Sequence, residues 1–237
     1  MSTPVTGAKE RHPHLARDVR PGDVRVDMHL HSMFSGDSTT TIAELHRSIV
    51  ESGVDVVCLT DHHAVKGVAP LAEGLMEFGH RVVMGEEVRS HSGEIIGLFI
   101  NERISFGSTA VDTAKAIRDQ GGLVYIPHPF DPMRHNLAEP ALRDLAERGL
   151  IDAVEVINSK TSLQSLNKKA LDFAVEYELA QGAGSDGHVP LAVGAAVAEL
   201  SDFTDAKSFL QALHNGVTYG HHWDEPRPWT ARIVPSV

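Results

Sequence analysis

The stretch Val24-Arg25-Val26-Asp27-Met28-His29-Leu30-His31 decides how this chain is read. Its valines and its alternation predict a β-strand. Side chains two apart on a strand point to the same side. Asp27, His29 and His31 therefore share a face, and the two imidazoles at its end converge as a bound metal ion requires. Three other segments have the same look: Thr60-Asp61-His62-His63, Pro127-His128-Pro129 and Gly184-Ser185-Asp186-Gly187-His188. Each stands where an apolar run ends. One such group would be read as a satisfied core histidine; four together point to a polynuclear metal site.

Around these groups, strand-like and helix-like runs alternate. Strands are predicted over 24–30, 54–60, 81–88, 95–100, 122–127, 152–158 and 180–185, and helices over 41–52, 68–79, 108–120, 138–148, 162–178 and 204–215. Thr40 or Thr41, with Glu44 three residues after Thr41, Ser108 with Asp112, and Ser162 read as helix starts. Gly53, Gly79, Gly121 and Gly149 read as helix stops. Val54 to Leu59 is almost wholly apolar, which fits a strand covered on both faces. The alternation predicts a parallel sheet with helices outside, and 237 residues suit one α/β barrel. The pair 81–88 and 95–100 has no helix between, so one unit is irregular. In such a barrel the working residues lie at the C-terminal strand ends, where all four groups fall. Residues 1–23 are expected to form an N-terminal arm and 24–237 a single domain. His12 and His14 then read as solvated tail residues, His221 and His222 as surface or packing residues, and Trp223 to Trp229 as a tail covering the barrel.

A net charge of −11 argues against nucleic acid and membrane surfaces as partners. The single cysteine, Cys58, lies inside a predicted buried strand, so no disulfide is expected and a reducing, cytoplasmic setting is. No stretch approaches the ~20 apolar residues of a membrane span, and the N-terminus lacks an apolar signal core. There is no glycine-rich phosphate loop and no evident nucleophilic serine or cysteine.

Several positions read two ways. Asp27 lies deeper than the histidines and suits a supporting role. Asp37, in Ser35-Gly36-Asp37-Ser38, is a turn residue or a ligand. His62 and His63 are adjacent, so only one faces the site. Glu86 and Glu87 point to opposite faces of one strand. Glu94 is a ligand or an exposed turn residue. His128 is stiffened by its flanking prolines. Arg134 and Lys160 each read as a phosphate clamp or as a surface charge.

In order along 24–190, Asp27-x-His29-x-His31-x-x-x-Ser35-x-Asp37-Ser38, Leu59-Thr60-Asp61-His62, Gly85-x-Glu87, His128-Pro129 and Gly184-Ser185-Asp186-x-His188 resemble the PHP superfamily, named for polymerase and histidinol phosphatase. The resemblance implies a distorted, TIM-like (β/α)7 barrel holding two or three divalent ions (Mn, Fe or Zn). It selects His62 over His63 and Glu87 over Glu86, with Glu87 bridging two ions. It places Glu94 where many relatives carry a histidine, an exchange that shifts preference toward harder ions such as Mn. By this analogy one ion is held by His29, His31, Glu87 and Asp186, a second by Glu87, His128 and Glu94, and a third by Asp37, His62 and His188. Glu87, His62, Asp186 and His188 are the catalytic set. The implied function is hydrolysis of a small phosphorylated metabolite, a phosphomonoester or a small phosphodiester, by a metal-bound hydroxide, with Arg134 and Lys160 on the phosphate. The alternatives are another amidohydrolase-like metal hydrolase and a non-catalytic structural module. The substrate's identity and the oligomeric state stay open.

Overall fold

The computed structural model describes residues 8–223. The apolar runs pair into one curled sheet of nine strands: β1 (Asp23–Leu30), β2 (Val56–Leu59), β3 (Arg81–Ser90), β4 (Gly93–Leu98), β5 (Leu123–Ile126), β6 (Ala153–Asn158), β7 (Ala180–Gly184), β8 (Ala196–Ser201) and β9 (Val217–Gly220). Their order is β7-β6-β5-β4-β3-β2-β1-β8-β9. The pairs β1–β2, β2–β3, β5–β6 and β6–β7 are parallel, as expected. The expectation of a parallel sheet fails on both sides of β4 and along β8 and β9, which are antiparallel. At β4 the reason is the turn: Ser90 is paired with Gly93 in the ladder, and so short a connection only returns the chain as a hairpin.

The sheet curls until β7 lies beside β1, giving a nearly closed barrel. A Cβ on Gly184 would lie 2.3 Å from the Cβ of His29, so only glycine lets the two backbones approach. The seam is held by Asp27, whose Oδ1 accepts the Ser185 N–H and whose Oδ2 accepts the Gly194 N–H, each at 2.9 Å. Burial pushes this carboxyl up to about 6 against the pull of those amides.

Helices α1 (Ala8–Arg11), α2 (Ile42–Ser52), α3 (Val68–Met76), α4 (Ala110–Asp119), α5 (Glu139–Glu147), α6 (Gln164–Glu176) and α7 (Ala206–His214) lie along the chain between and before the strands. The predicted capping box of Thr41 and Glu44 is present. The α4 cap is Thr109, one residue after the expected Ser108. α2 and α3 bury Leu45, Ile49, Leu71 and Leu75 against Val57 and Leu59 of β2, each large side chain contributing roughly 1.5–3 kcal/mol. Among the described residues no helix is long and apolar enough to cross a membrane.

The expectation of solvated tail histidines is overturned. His12 is fully buried and its Nε2–H donates to the Leu191 carbonyl at 2.9 Å, while His14 Nε2 donates to Gly194 O at 2.9 Å. Leu15, fully buried, drives this packing from a short 3-10 turn at Pro13–Ala16. His221 lies 3.3 Å from His12, and His222 is exposed. The Trp223 N–H donates to Ser159 O at 2.8 Å; the rest of the expected covering tail lies outside the described residues.

Candidate metal centre

The four sequence groups meet at one rim of the barrel. β1 delivers His29 and His31, and a 3-10 turn at Met33–Ser35 brings Asp37 back over them. That turn is fixed by Asp61, which accepts the Ser32 N–H and the Ser32 hydroxyl, both at 2.6 Å. Ser35 Oγ lies 2.7 Å from His31 Nδ1 and accepts the His62 N–H at 2.9 Å, tying the ends of β1 and β2 together. β3 carries Glu87 within the strand, whose end at Ser90 lies two residues past the predicted limit at 88. Glu94 enters from β4, His128 follows β5, and Asp186 and His188 follow β7.

The distances are short. His29 Nε2 lies 3.0 Å from His31 Nε2 and 3.1 Å from Glu87 Oε2. Glu87 turns its other oxygen, Oε1, to His128 Nε2 at 3.0 Å. His62 Nδ1 is 3.4 Å from Glu87 Oε2 and 3.9 Å from Glu94 Oε1. His188 Nε2 meets Asp37 Oδ2 at 2.9 Å. Glu94 is 5% exposed, so it is not an exposed turn residue; His91, on the hairpin turn, is. His128 and Asp186 have φ of 29° and 49°, left-handed values uncommon for residues with a Cβ. Backbone strain of this kind persists only where surrounding contacts hold it.

Within this cluster, donor atoms fall into four groups, each with all its atoms inside 4.8 Å: His31, Asp37, His62 and His188; His29, His31 and Glu87; His29, His128 and Asp186; His62, Glu87 and Glu94. Together they comprise the nine residues that the sequence singled out. The partition differs from the family analogy: His31 also joins Asp37, His62 and His188. Asp186 groups with His128 rather than with His31 and Glu87, and Glu94 groups with His62.

The electrostatics explain why such a cluster suits cations. Burial pushes the His29 imidazole down, but Glu87, Glu155 and Asp186 outweigh it and leave it well above its usual range. Burial likewise opposes Glu87, and His29 and His62 pull it well below the carboxylate range. Burial and then Glu87 push Glu94 up to about 7. Burial, with His31 beside it, holds His188 down to about 3, which leaves it a neutral imidazole with a lone pair to offer. Mixed imidazole and carboxylate donors fit Zn, Mn or Fe, so the residues present fit the divalent ions the sequence implies.

The chain is similar to proteins of known sequence and of known structure. The uncharacterized protein MJ1587 of Methanocaldococcus jannaschii is 34% identical over 170 residues, covering 68% of this chain and 96% of its own. The uncharacterized protein MJ0417 of the same organism is 32% identical over 188 residues, 78% of this chain and 73% of its own. A two-domain protein from Bacteroides vulgatus ATCC 8482, containing a predicted PHP-like metal-dependent phosphoesterase, has the same fold with a TM-score of 0.69 at 18% identity, over 86% of this chain and 67% of its own. The family model described as PHP-associated matches residues 164–218. The chain belongs to the PHP superfamily. That last match runs from α6 to β9 and so takes in Asp186 and His188 of the PHP site.

Other residues complete the PHP rim. Lys160 Nζ lies 3.0 Å from His188 Nδ1 and 3.7 Å from Asp186 Oδ1. Arg134 Nε lies 3.9 Å from Asp186 Oδ2, and its Nη2 donates to Lys160 O at 3.1 Å. Both cations are therefore brought to the donors. His63 turns away and packs on Phe106, with ring centroids 4.8 Å apart. Glu86 faces the other side of β3, where Oε2 accepts the Ile104 N–H at 2.6 Å. Sequence reasoning missed Glu155, fully buried beneath His29. The signal was there: a lone glutamate in the apolar run Ala153-Val154-Glu155-Val156-Ile157, since glutamate is almost never fully buried unless paired.

Proposed function

We propose that this PHP protein is a metal-dependent phosphoesterase acting on a small phosphorylated metabolite, a phosphomonoester in the first instance and a small phosphodiester in the second. One observation carries the reading: the two oxygens of Glu87 reach different donors, His29 and His128, while two cationic side chains border Asp186 at the same rim. Divalent ions bound there would neutralise phosphoryl charge and lower the pKa of a bound water toward ~7.

The chain's own residues do the rest. His29, His31, Asp37, His62, Glu87, Glu94, His128, Asp186 and His188 supply the donors. Asp37, 45% exposed in its side chain, and His62, 22% exposed, mark the open side by which a phosphate enters. Arg134 offers a planar guanidinium to two phosphoryl oxygens. Lys160 adds a buried point charge beside Asp186. Both stabilise negative charge that grows on those oxygens during displacement. The decisive experiment is a panel of phosphomonoesters, small phosphodiesters and amides, each assayed with added Mn, Fe or Zn and with a chelator. Metal-dependent turnover of phosphate esters supports the reading. Turnover of amides alone, or none with any ion, refutes it.

A further inference from the structure

Glu155 stands apart from the nine donors, yet it touches more of the site than any sequence reading suggested. Its side chain is fully buried. Oε1 lies 3.1 Å from His29 Nδ1. Oε2 accepts the His128 N–H at 2.6 Å and the Asn158 side-chain N–H at 2.9 Å. Asn158 in turn lies 3.4 Å from Asp186 Oδ2, and its Oδ1 accepts the Lys160 N–H at 2.8 Å. A register shift in β6 between Glu155 and Ile157 accounts for the spacing: three residues apart, Glu155 and Asn158 still meet inside the barrel. One carboxylate thus supports segments from β1, β5 and β6 at once.

The other imidazoles are held differently. His31 Nδ1 rests on the Ser35 hydroxyl. His128 Nδ1, buried, has no hydrogen-bond partner, and only its backbone is held by Glu155. His62 Nδ1 and His188 Nδ1 lie 3.4 Å from Glu87 and 3.3 Å from Asp186, both of which are themselves among the nine donors, whereas His29 Nδ1 meets a carboxylate outside that set, Glu155, at 3.1 Å. A hydrogen bond from Nδ1–H to a carboxylate fixes the tautomer, directs the Nε2 lone pair outward and raises the basicity of the ring. Nε2 of His29 is the atom that faces His31 and Glu87.

We propose that Glu155 is the positioning residue of this site: it locks the proton on His29 Nδ1 and so gives the tightest ion to the donors grouped around His29, leaving the ion beside the exposed Asp37 the most exchangeable. The inference rests on the metal-centre reading above. Its test uses the full chain, stripped of metal and titrated with Zn2+ against a chromophoric chelator, in wild type, Glu155→Gln and Asp37→Ala. The tightest ion should bind about 10–100-fold more weakly in Glu155→Gln, with the weaker sites little changed. Asp37→Ala should instead weaken the last ion to bind. In the Zn-loaded wild type, histidine-edited nitrogen NMR should show a protonated Nδ1 on His29, deshielded by the carboxylate, and this needs no variant to fold. Equal losses at every site, unchanged affinities in Glu155→Gln, or a His29 without a proton on Nδ1 would each overturn the proposal. Wild type that binds no ion sinks the metal reading as well, whereas wild type that binds two or more ions beside an indistinguishable Glu155→Gln sinks this inference alone.

Discussion

At the rim where β1, β2, β5 and β7 end, the barrel interior is filled by imidazoles and carboxylates; near the start of β3 and the end of β8 it is closed by aromatic rings. Phe209 packs on Phe203 at 4.8 Å and on Phe99 at 5.1 Å between ring centroids. The Arg81 guanidinium lies 4.7 Å over the Phe203 ring. Phe209 is fully buried and has no polar work to do, whereas Glu87, 1% exposed, is buried only because imidazoles surround it. The difference teaches that stability and chemistry occupy different ends of one core, as in barrel enzymes generally. A substitution at either end should therefore move one property and spare the other.

The sharpest test of that separation is Glu87→Gln. If Glu87 holds two cations it would use both carboxylate oxygens, and kcat/KM should fall by roughly a hundred- to a thousandfold, the scale of losing one preorganised catalytic group. Glu86→Gln, on the opposite strand face, should leave turnover nearly unchanged. Equal effects would mean that the strand face has been misassigned.

At the aromatic end, Phe209→Ala should cost about 3–5 kcal/mol of unfolding free energy, measured by denaturant melts of the metal-loaded protein. Turnover per folded molecule should hold. Loss of turnover without loss of stability would break the comparison outright.

Arg134→Ala should weaken kcat/KM for phosphomonoesters by about 2–4 kcal/mol of transition-state stabilisation. Arg134→Lys should restore part of it, because lysine lacks the planar fork. Metal content should be the same in both. Kinetics like those of wild type would return Arg134 to the role of a simple ion-pair residue.

The smallest effect concerns the N-terminal segment. Burial lowers the His12 imidazole from 6.5 to about 4. The folded segment keeps it neutral, while a released segment would titrate near 6.5, so protons favour release. The contact is at full strength above about 6.5 and weakens as pH falls toward about 4. Hydrogen exchange at residues 8–16 should quicken across that window, ahead of the strand amides. A flat profile would show that His12 is not what holds the segment.

Much of this was legible in the sequence, and the failures have physical reasons. Seven strands and six helices announced themselves by valine-rich runs and by period, and the donors by their place after those runs. β8 was hidden because Ala196-Val197-Ala198-Glu199-Leu200 follows an alanine- and glycine-rich stretch without β-branched enrichment. β9 has four half-exposed or exposed residues, too few for a pattern. Strand direction is not written in local periodicity at all. The buried His12 escaped because its contacts, the Leu191 carbonyl and the His221 ring, lie 179 and 209 residues away in the chain, and no amphipathic repeat marks it. Glu155 escaped because its partners are distant in the chain, His29 by 126 residues.

The bare strand β7 makes Gly182 and Tyr125 a single architectural choice. A Cβ at Gly182 would lie 2.6 Å from the Tyr125 ring and 3.0 Å from the Met28 methyl. The two positions share one fixed volume, so neither can be redrawn alone. Whoever wishes to widen or reline the inside of this barrel must trade atoms across that pair, and a descendant of this sequence that gains a side chain at 182 should carry a smaller one at 125.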